Sequence, residues 1–581
     1  MRAVSKTIQS RQPATGSPVS EWPADLHPVL ARVYARRDIN AVDELDQTLE
    51  HLLPYAGLTG IEAAVDLLTT ALELQQHILI VGDFDADGAT SCAVAVRALR
   101  LLGAWHVDFL VPNRFDYGYG LTPEIVTVAI RDYRPDLIVT VDNGIASLDG
   151  VSRAREAGIA VLITDHHLAG ASLPEADAIV NPNQPGDSFP SKHLAGVGVI
   201  FYVMWALRSH LCDNGWFTAG DREVPKLAAL LDLVALGTVA DVVRLDRNNR
   251  ILVAQGLRRI RAGRACAGIR ALTAVAGRQA DRLVAADLGF ALGPRLNAAG
   301  RLDDMTLGIQ CLLSDDDAAA IEIARRLDDM NRQRRLIETE MQQQAFETLD
   351  RLAIVDDDSL PFGLCLYDPS WHQGVIGLLA ARIKERFHRP AIAFADGDVG
   401  QLKGSARSVP GLHIRDVLEA IAAAHPGLLD KFGGHAMAAG LTLAREAFET
   451  FSRAFDVEVR RHLNEDDLRG VIYSDGQLTG PDFSLELAEL LRNGGPWGQG
   501  FPEPVFDGRF NIRDMRIVGD RHLKLMLEPA ADLVIDAIAF NTAPEQLPDN
   551  TTEIKCAYRL DVNEFRGQQN LQMIIEHIEP V

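Results

Sequence analysis

The chain has 581 residues, 47% of them hydrophobic, which is more than one core absorbs, so it is expected to divide into about three or four domains. Its six cysteines, Cys92, Cys212, Cys266, Cys311, Cys365 and Cys556, form no C-x-x-C pair, which speaks against a disulfide framework and a thiolate zinc site. A formal charge of −23 speaks against a surface that binds nucleic acid everywhere and leaves room only for a confined basic groove; carboxylates that hold cations also count in that sum.

The first twenty residues, with Pro, Ser, Thr and Gly, read as disordered, and residues 1–50 as a tail and extension. Arg2, Lys6 and Arg11 precede a polar stretch without the apolar core of a signal peptide, so a cytoplasmic protein is expected. From about residue 76, short apolar runs at 77–81, 107–111, 137–141, 160–163 and 178–180 alternate with helix-length stretches. That alternation predicts an α/β, doubly wound parallel sheet within residues 51–310, with ligands collecting at the carboxyl ends of its strands. A helical block follows at 224–261; its apolar run 227–240 is interrupted by Asp232 and falls short of the roughly 18 residues a spanning helix needs, so no membrane segment is expected.

A polar helix at about 315–353 reads as a spacer, giving a connecting segment at 311–355. A second, smaller α/β domain is expected at 356–465, with strands at 363–367 and 391–394 and Gly-rich segments at 404–411 and 433–440. Short alternating segments at 509–517, 523–527, 533–540 and 571–578 predict a small OB-like β-barrel within 466–581.

The strongest chemical signal is Val81-Gly82-Asp83-Phe84-Asp85-Ala86-Asp87-Gly88, directly after a strand. Three carboxylates so close repel one another, and burying them is costly unless a cation neutralises them. An Asp-rich helix cap is the alternative for an isolated D-x-D; an EF-hand loop is set aside because Val94 occupies its twelfth position. Two further strands end in Asp142-Asn143-Gly144 and Asp165-His166-His167, so three strand ends present acids to one edge. Aspartate oxygen with imidazole nitrogen suits Mn²⁺ and tolerates Mg²⁺. Several carboxylates suffice for two ions about 4 Å apart, an arrangement that serves phosphoester hydrolysis.

Asp165-His166-His167 resembles the signature triplet of the DHH phosphoesterase superfamily, with Asp83–Asp87, Asp142 and Leu236-Gly237-Thr238-Val239-Ala240-Asp241 resembling its other motifs in order. Other segments resemble the RecJ family in particular: Arg114 with Gly118-Tyr119-Gly120, Gly293 to Arg301, Ser370 to Gly377, Gly404 to Ser408, Gly433-Gly434-His435, and Pro496 to Pro504. The resemblance implies that Asp85, Asp87, Asp142, His166 and Asp241 ligate metal, with Asp142 bridging two ions, while Asp83, Asp165 and His167 support the site or touch phosphate. It implies that Arg114, Ser405 and Arg407 hold a terminal 5′ phosphate and that His435 stabilises the scissile one. Arg295, Asn297, Arg301 and Tyr119 complete the expected substrate-binding set.

The implied activity is 5′-to-3′ removal of nucleotides from single-stranded DNA by two-metal-ion hydrolysis, in recombination and repair. Single-strand-binding protein and a RecQ-type helicase are the expected partners, and a monomer the expected state. Two alternatives stay open: a DHH phosphodiesterase for short oligonucleotides or cyclic dinucleotides, and a scaffold that binds single strands without cutting them. Tyr117, Tyr119 and Trp371 are candidates for base stacking, and Arg332, Arg334 and Arg335 read as a solvated helix face.

Overall fold

A computed structural model of the protein describes residues 6–13, 22–113, 120–220, 222–355, 360–519, 522–540, 542, 547, 551–565 and 567–581. Arg114, Tyr117 and Tyr119 therefore lie outside the described residues. Lys6–Ser10 forms a strand, β1, where the sequence suggested disorder. It pairs in parallel with Gly470–Ser474, and the Arg11 amide donates to the Ser474 carbonyl at 2.7 Å. A remote partner stabilises this strand, and local composition carries no trace of it.

The apolar runs of the first domain form β2 (Ile78–Gly82), β3 (Val107–Leu110), β4 (Leu137–Val141), β5 (Ala160–Thr164) and β6 (Ala178–Val180), all in parallel. Every residue of β2 and β4 is buried, as expected of central strands covered by helices on both faces. The sheet order is β3-β2-β4-β5-β6, so the winding reverses between β2 and β4, where an open α/β sheet leaves its ligand crevice. The Ala86–Leu102 helix packs against helices Gly196–Asp213 and Leu231–Ala240. Close approach depends on glycine: a Cβ on Gly237 would lie 2.2 Å from Thr90 Oγ1, and one on Gly196 would lie 2.6 Å from the Asp142 Cβ.

The Asp317–Val355 helix, 39 residues and about 58 Å long, joins the first domain to the second. It is a packed strut rather than a polar spacer. Arg334, expected on a solvated face, is buried with Glu338 at 2.7 Å and Asn331 at 3.0 Å, whereas Arg332 and Arg335 are exposed.

The second domain holds β7 (Leu364–Tyr367), β8 (Ala391–Asp396), β9 (Gln401–Arg407), β10 (Lys431–Gly434) and β11 (Ala438–Ala444), in the order β10-β11-β9-β8-β7. The Gly-rich segments supply much of β9, β10 and β11. Gly404 lets the Phe394 ring lie flat, since a Cβ there would meet it at 2.5 Å. After β12 (Gly470–Ser474), the strands β13 (Phe506–Val518), β14 (His522–Ala530), β15 (Leu533–Ala539), β16 (Glu553–Phe565) and β17 (Gln568–Pro580) close into the expected barrel. Among the described residues no helix is long and apolar enough to cross a membrane.

Candidate active site

The acids at the switch point are set by backbone, not by chance proximity. Asp85 caps the Ala86–Leu102 helix, its Oδ1 accepting from the amides of Asp87 at 2.9 Å and Gly88 at 3.0 Å. Asp87, in the first turn and fully buried, accepts from the amides of Gly196 at 2.6 Å and Val197 at 3.0 Å, at the start of another helix. Asn143 ties the ends of β2 and β4 together by donating to the Val81 and Val141 carbonyls at 3.0 and 2.9 Å. Asp142 between them sits at φ 61°, a left-handed conformation that non-glycine residues rarely adopt.

The β5 end adds a fixed pair. Asp165 Oδ1 accepts from His167 Nδ1 at 2.7 Å and from the His166 amide at 2.7 Å, while its Oδ2 accepts from the Ile145 amide at 2.9 Å. Burial opposes ionisation of Asp165, but the His167 hydrogen bond and charge prevail and hold its carboxyl below the usual range. His167 is raised for the converse reason: burial opposes its charge and Asp165 outweighs burial.

His166 points the other way. Its Nε2 lies 3.0 Å from Asp142 Oδ1 and 3.5 Å from Asp241 Oδ2, and it is buried with no aligned hydrogen bond among the described residues. Burial, then the neighbouring His167, push it down to about 3, so the ring is neutral and offers a lone pair. Around it, burial and then Asp85 push Asp87 up to about 7. Burial, then Asp87 and Asp85, raise Asp142 and Asp241 well above the carboxylate range.

Ligand atoms of Asp87, His166 and Asp241 lie within 4.8 Å of one another, as do those of Asp83, Asp85 and Asp142 and those of Asp142, His166 and His167. A buried neutral imidazole facing acids that cannot all ionise together is a donor set lacking positive charge, and its oxygen and nitrogen atoms fit Mn²⁺ or Mg²⁺.

Beside this cluster a cavity of about 360 Å³ opens between the first and second domains, lined by Phe84 and Asp85 on one side and by Lys403, Ser405 and Arg407 on the other. The Arg407 guanidinium donates to Ser405 Oγ at 3.1 Å and to the Ala406 carbonyl at 2.8 Å, and among the described residues no carboxylate pairs with it. Asn297 and Arg301 also line the cavity: Asn297 Oδ1 accepts from the Ala86 amide at 2.8 Å, and Arg301 reaches the Gly374 carbonyl at 3.2 Å across the domains. His435 comes from the second domain to stack near His167, ring centroids 6.0 Å apart. Burial, then His167, lower its basicity.

Two expectations need correction. Arg295 does not face this cavity; its guanidinium pairs with Asp328 of the long helix at 2.8 Å and donates to the Ala291 carbonyl at 2.6 Å, both buried. Trp371 is buried, with Nε1 donating to Gln344 Oε1 at 2.8 Å, so its ring packs in the second domain rather than presenting a face for stacking. Sequence reasoning also passed over Lys403 and Asn143. Lys403 was findable, because it alternates with Ser405 and Arg407 along β9 and so shares their face. The inward role of Asn143 depends on the pairing of β2 with β4, which no local signal gives.

Known proteins resemble this chain in sequence and fold. The DHH family N-terminal domain matches residues 77–238, the DHHA1 domain 361–461 and the RecJ OB domain 474–577. The single-stranded-DNA-specific exonuclease RecJ of Dickeya dadantii is 55% identical over 564 residues, covering 97% of this chain and 98% of its own. That of Escherichia coli is 53% identical, covering 97% of each. The structure of RecJ from Thermus thermophilus in complex with Mn²⁺ superposes with a TM-score of 0.79 at 29% identity, covering 96% of this chain and 76% of that one; a Mg²⁺ complex from the same organism gives 0.73 at 28%, covering 96% and 75%. Identity at this level along nearly the whole length, with a matching domain for each of the three folded parts, makes this chain a member of the RecJ family.

Proposed function

We propose that the protein is a single-strand-specific exodeoxyribonuclease that hydrolyses phosphodiester bonds from the 5′ end with divalent cations bound at the acid cluster. The observation that carries the reading is the juxtaposition of the Asp142–His166 cluster with a cavity whose Arg407 guanidinium has no acid partner among the described residues. That arrangement offers a place for a terminal phosphate one step from the reacting bond.

In this reading Asp85, Asp87, Asp142, His166 and Asp241 would hold the divalent ions, Mn²⁺ or Mg²⁺, with Asp142 a ligand shared within the cluster. Bound there, such ions supply activation of the attacking water and neutralisation of charge on the scissile phosphate. The chain's own groups do the remainder. Asp165 fixes the tautomer and orientation of His167, whose ring stacks near that of His435. His435 donates to a non-bridging oxygen of the scissile phosphate, and Asp83 shapes the first strand end through the Phe84 amide at 2.7 Å. Arg407 and Ser405, together with Arg114, grip the terminal phosphate; Asn297 and Arg301 hold the floor and the domain junction of the same cavity. Tyr119 contributes to holding the strand.

Single-stranded DNA is the substrate, and recombination and repair are the cellular setting that membership of the family implies. Single-strand-binding protein and a RecQ-type helicase are its proposed partners, and the proposed state is a monomer. The test is a long single strand labelled at either end, incubated with Mn²⁺, Mg²⁺ or EDTA beside a blunt duplex and a dinucleotide. Metal-dependent release of the 5′ label as mononucleotide, with the duplex spared, is expected. Cleavage of the dinucleotide alone moves the reading to short oligonucleotides, and binding without cleavage moves it to a scaffold.

A further inference from the structure

A second cavity, of about 460 Å³, opens beside Asp241: Val239 and Val242, which bracket that acid in sequence, both line it. Its far wall comes from the segment leading into the barrel, through Pro496, Trp497 and Arg492. Neither the metal cluster nor the terminal-phosphate cavity uses these groups.

Three independent features mark it as built for a ligand. First, its rim is strained. Val242 sits at φ 61°, which for a β-branched residue is a genuine outlier, and Leu288–Leu292 winds as a π-helix, a form that concentrates at functional sites. Second, the cavity wall displays apolar surface, with Phe290 81% and Val242 64% exposed. Third, Arg258, Arg261 and Arg492 all face the cavity, and among the described residues none forms an ion pair. Arg261 and Arg492 spend one donor each on the carbonyls of Leu283 and Arg282, at 2.8 and 3.2 Å. The nearby acids are engaged elsewhere, Asp287 with Arg278 at 3.2 Å and Glu503 with Arg559. Burial, then Arg492 and Arg258, lower the basicity of Arg261, as mutual repulsion requires.

An aromatic face, an apolar wall and three guanidinium groups without counter-charge fit one chemical class. We propose that this cavity is a nucleoside-phosphate subsite, with a base stacked on Phe290 against Val242 and the phosphate on Arg258, Arg261 and Arg492. Two sources share that chemistry, a nucleotide of the substrate strand beyond the scissile bond and a free mononucleotide. The inference rests on the strand-hydrolysis reading, because a strand held at the acid cluster is what brings a second nucleotide beside Asp241.

The test compares the wild-type protein with Phe290→Ala and Arg258→Gln, both of which alter exposed or unpaired groups. Anisotropy of a fluorescein-labelled oligothymidylate dodecamer is measured in EDTA, and kcat/KM is measured with Mn²⁺ from dimer to dodecamer. In each variant the dissociation constant for the dodecamer is expected to rise about tenfold, and the gain in kcat/KM with length to fall below about threefold. Inhibition by free thymidine monophosphate that disappears in Phe290→Ala assigns the subsite to a mononucleotide; a Phe290-dependent length gain without such inhibition assigns it to the strand. Unaltered binding and an undiminished length gain in both variants overturn the subsite while leaving the nuclease reading intact. Phe290-dependent binding by a protein that cuts no strand overturns the nuclease reading and keeps the subsite.

Discussion

Arg295 meets Asp328 at 2.8 Å in a buried contact that ties the Gly293–Leu302 helix to the long helix, with Arg332 completing the group on Asp328 at 2.6 Å. Removing Arg295 leaves the buried Asp328 with the exposed Arg332 as its remaining cation. Arg295→Ala is therefore expected to destabilise the protein by about 1–3 kcal/mol in urea unfolding, while single-strand cleavage at low temperature stays within about twofold of wild type. A large loss of activity in a stably folded variant would instead restore Arg295 to the substrate.

Asp142 carries a cost in the absence of cations, since burial and its acidic neighbours disfavour its charge. Asp142→Asn is expected to melt above wild type in EDTA, by about 1 kcal/mol, and to lose the stabilisation that Mn²⁺ gives wild type. Its metal-dependent turnover is expected to drop by roughly a thousandfold or more. Differential scanning calorimetry with and without Mn²⁺ checks the first claim, and the end-label assay checks the second.

Proton release should accompany cation binding. Without ions, Asp87 titrates near 7 and Asp142 and Asp241 lie well above their usual range, so the folded cluster holds protons that the unfolded chain has already lost. The contribution of these three acids to stability in EDTA is therefore greatest below the ordinary carboxylate range and is lost as pH rises from about 4 through about 7, against the opposite contribution of His166, whose pKa is lowered. Mn²⁺ must displace those protons, so its affinity rises over pH 6 to 8, by up to about tenfold per unit for each proton released. Titration calorimetry in buffers of different ionisation enthalpy measures the number; a value of zero means that the acids are already ionised.

Asp165 accepts from His167 Nδ1, and is expected to act through that ring rather than on substrate. Asp165→Asn keeps the shape of the acceptor but loses its charge, and is expected to lower kcat and Mn²⁺ affinity together by about 10–100-fold. NMR of the His167 ring reports the matching drop in its pKa; an unchanged His167 titration contradicts the positioning role.

Much of the catalytic sheet was legible because central parallel strands are apolar throughout and terminate abruptly in acids, as at Val141–Asp142 and Thr164–Asp165. What escaped was stabilised from a distance. Lys6–Ser10 has no strand signature of its own and is held by Gly470–Ser474. The strand Glu553–Phe565 was missed although Ile554, Cys556, Tyr558, Leu560 and Val562 alternate inward, because Lys555, Arg559 and Asp561 break up the apolar run. At the site, residue types alone placed the acids and His166 together, but Arg295 was misread because the partner that neutralises it lies 33 positions along the chain on another helix.

The pairing of β1 with β12 also has a temporal side. Roughly 460 residues separate the two strands, and at translation rates of about 5–20 residues per second the first waits some 25 to 90 s for its partner to leave the ribosome. During that interval its backbone donors and acceptors are open to water and to other chains, so β1 docks only after several hundred further residues have been made.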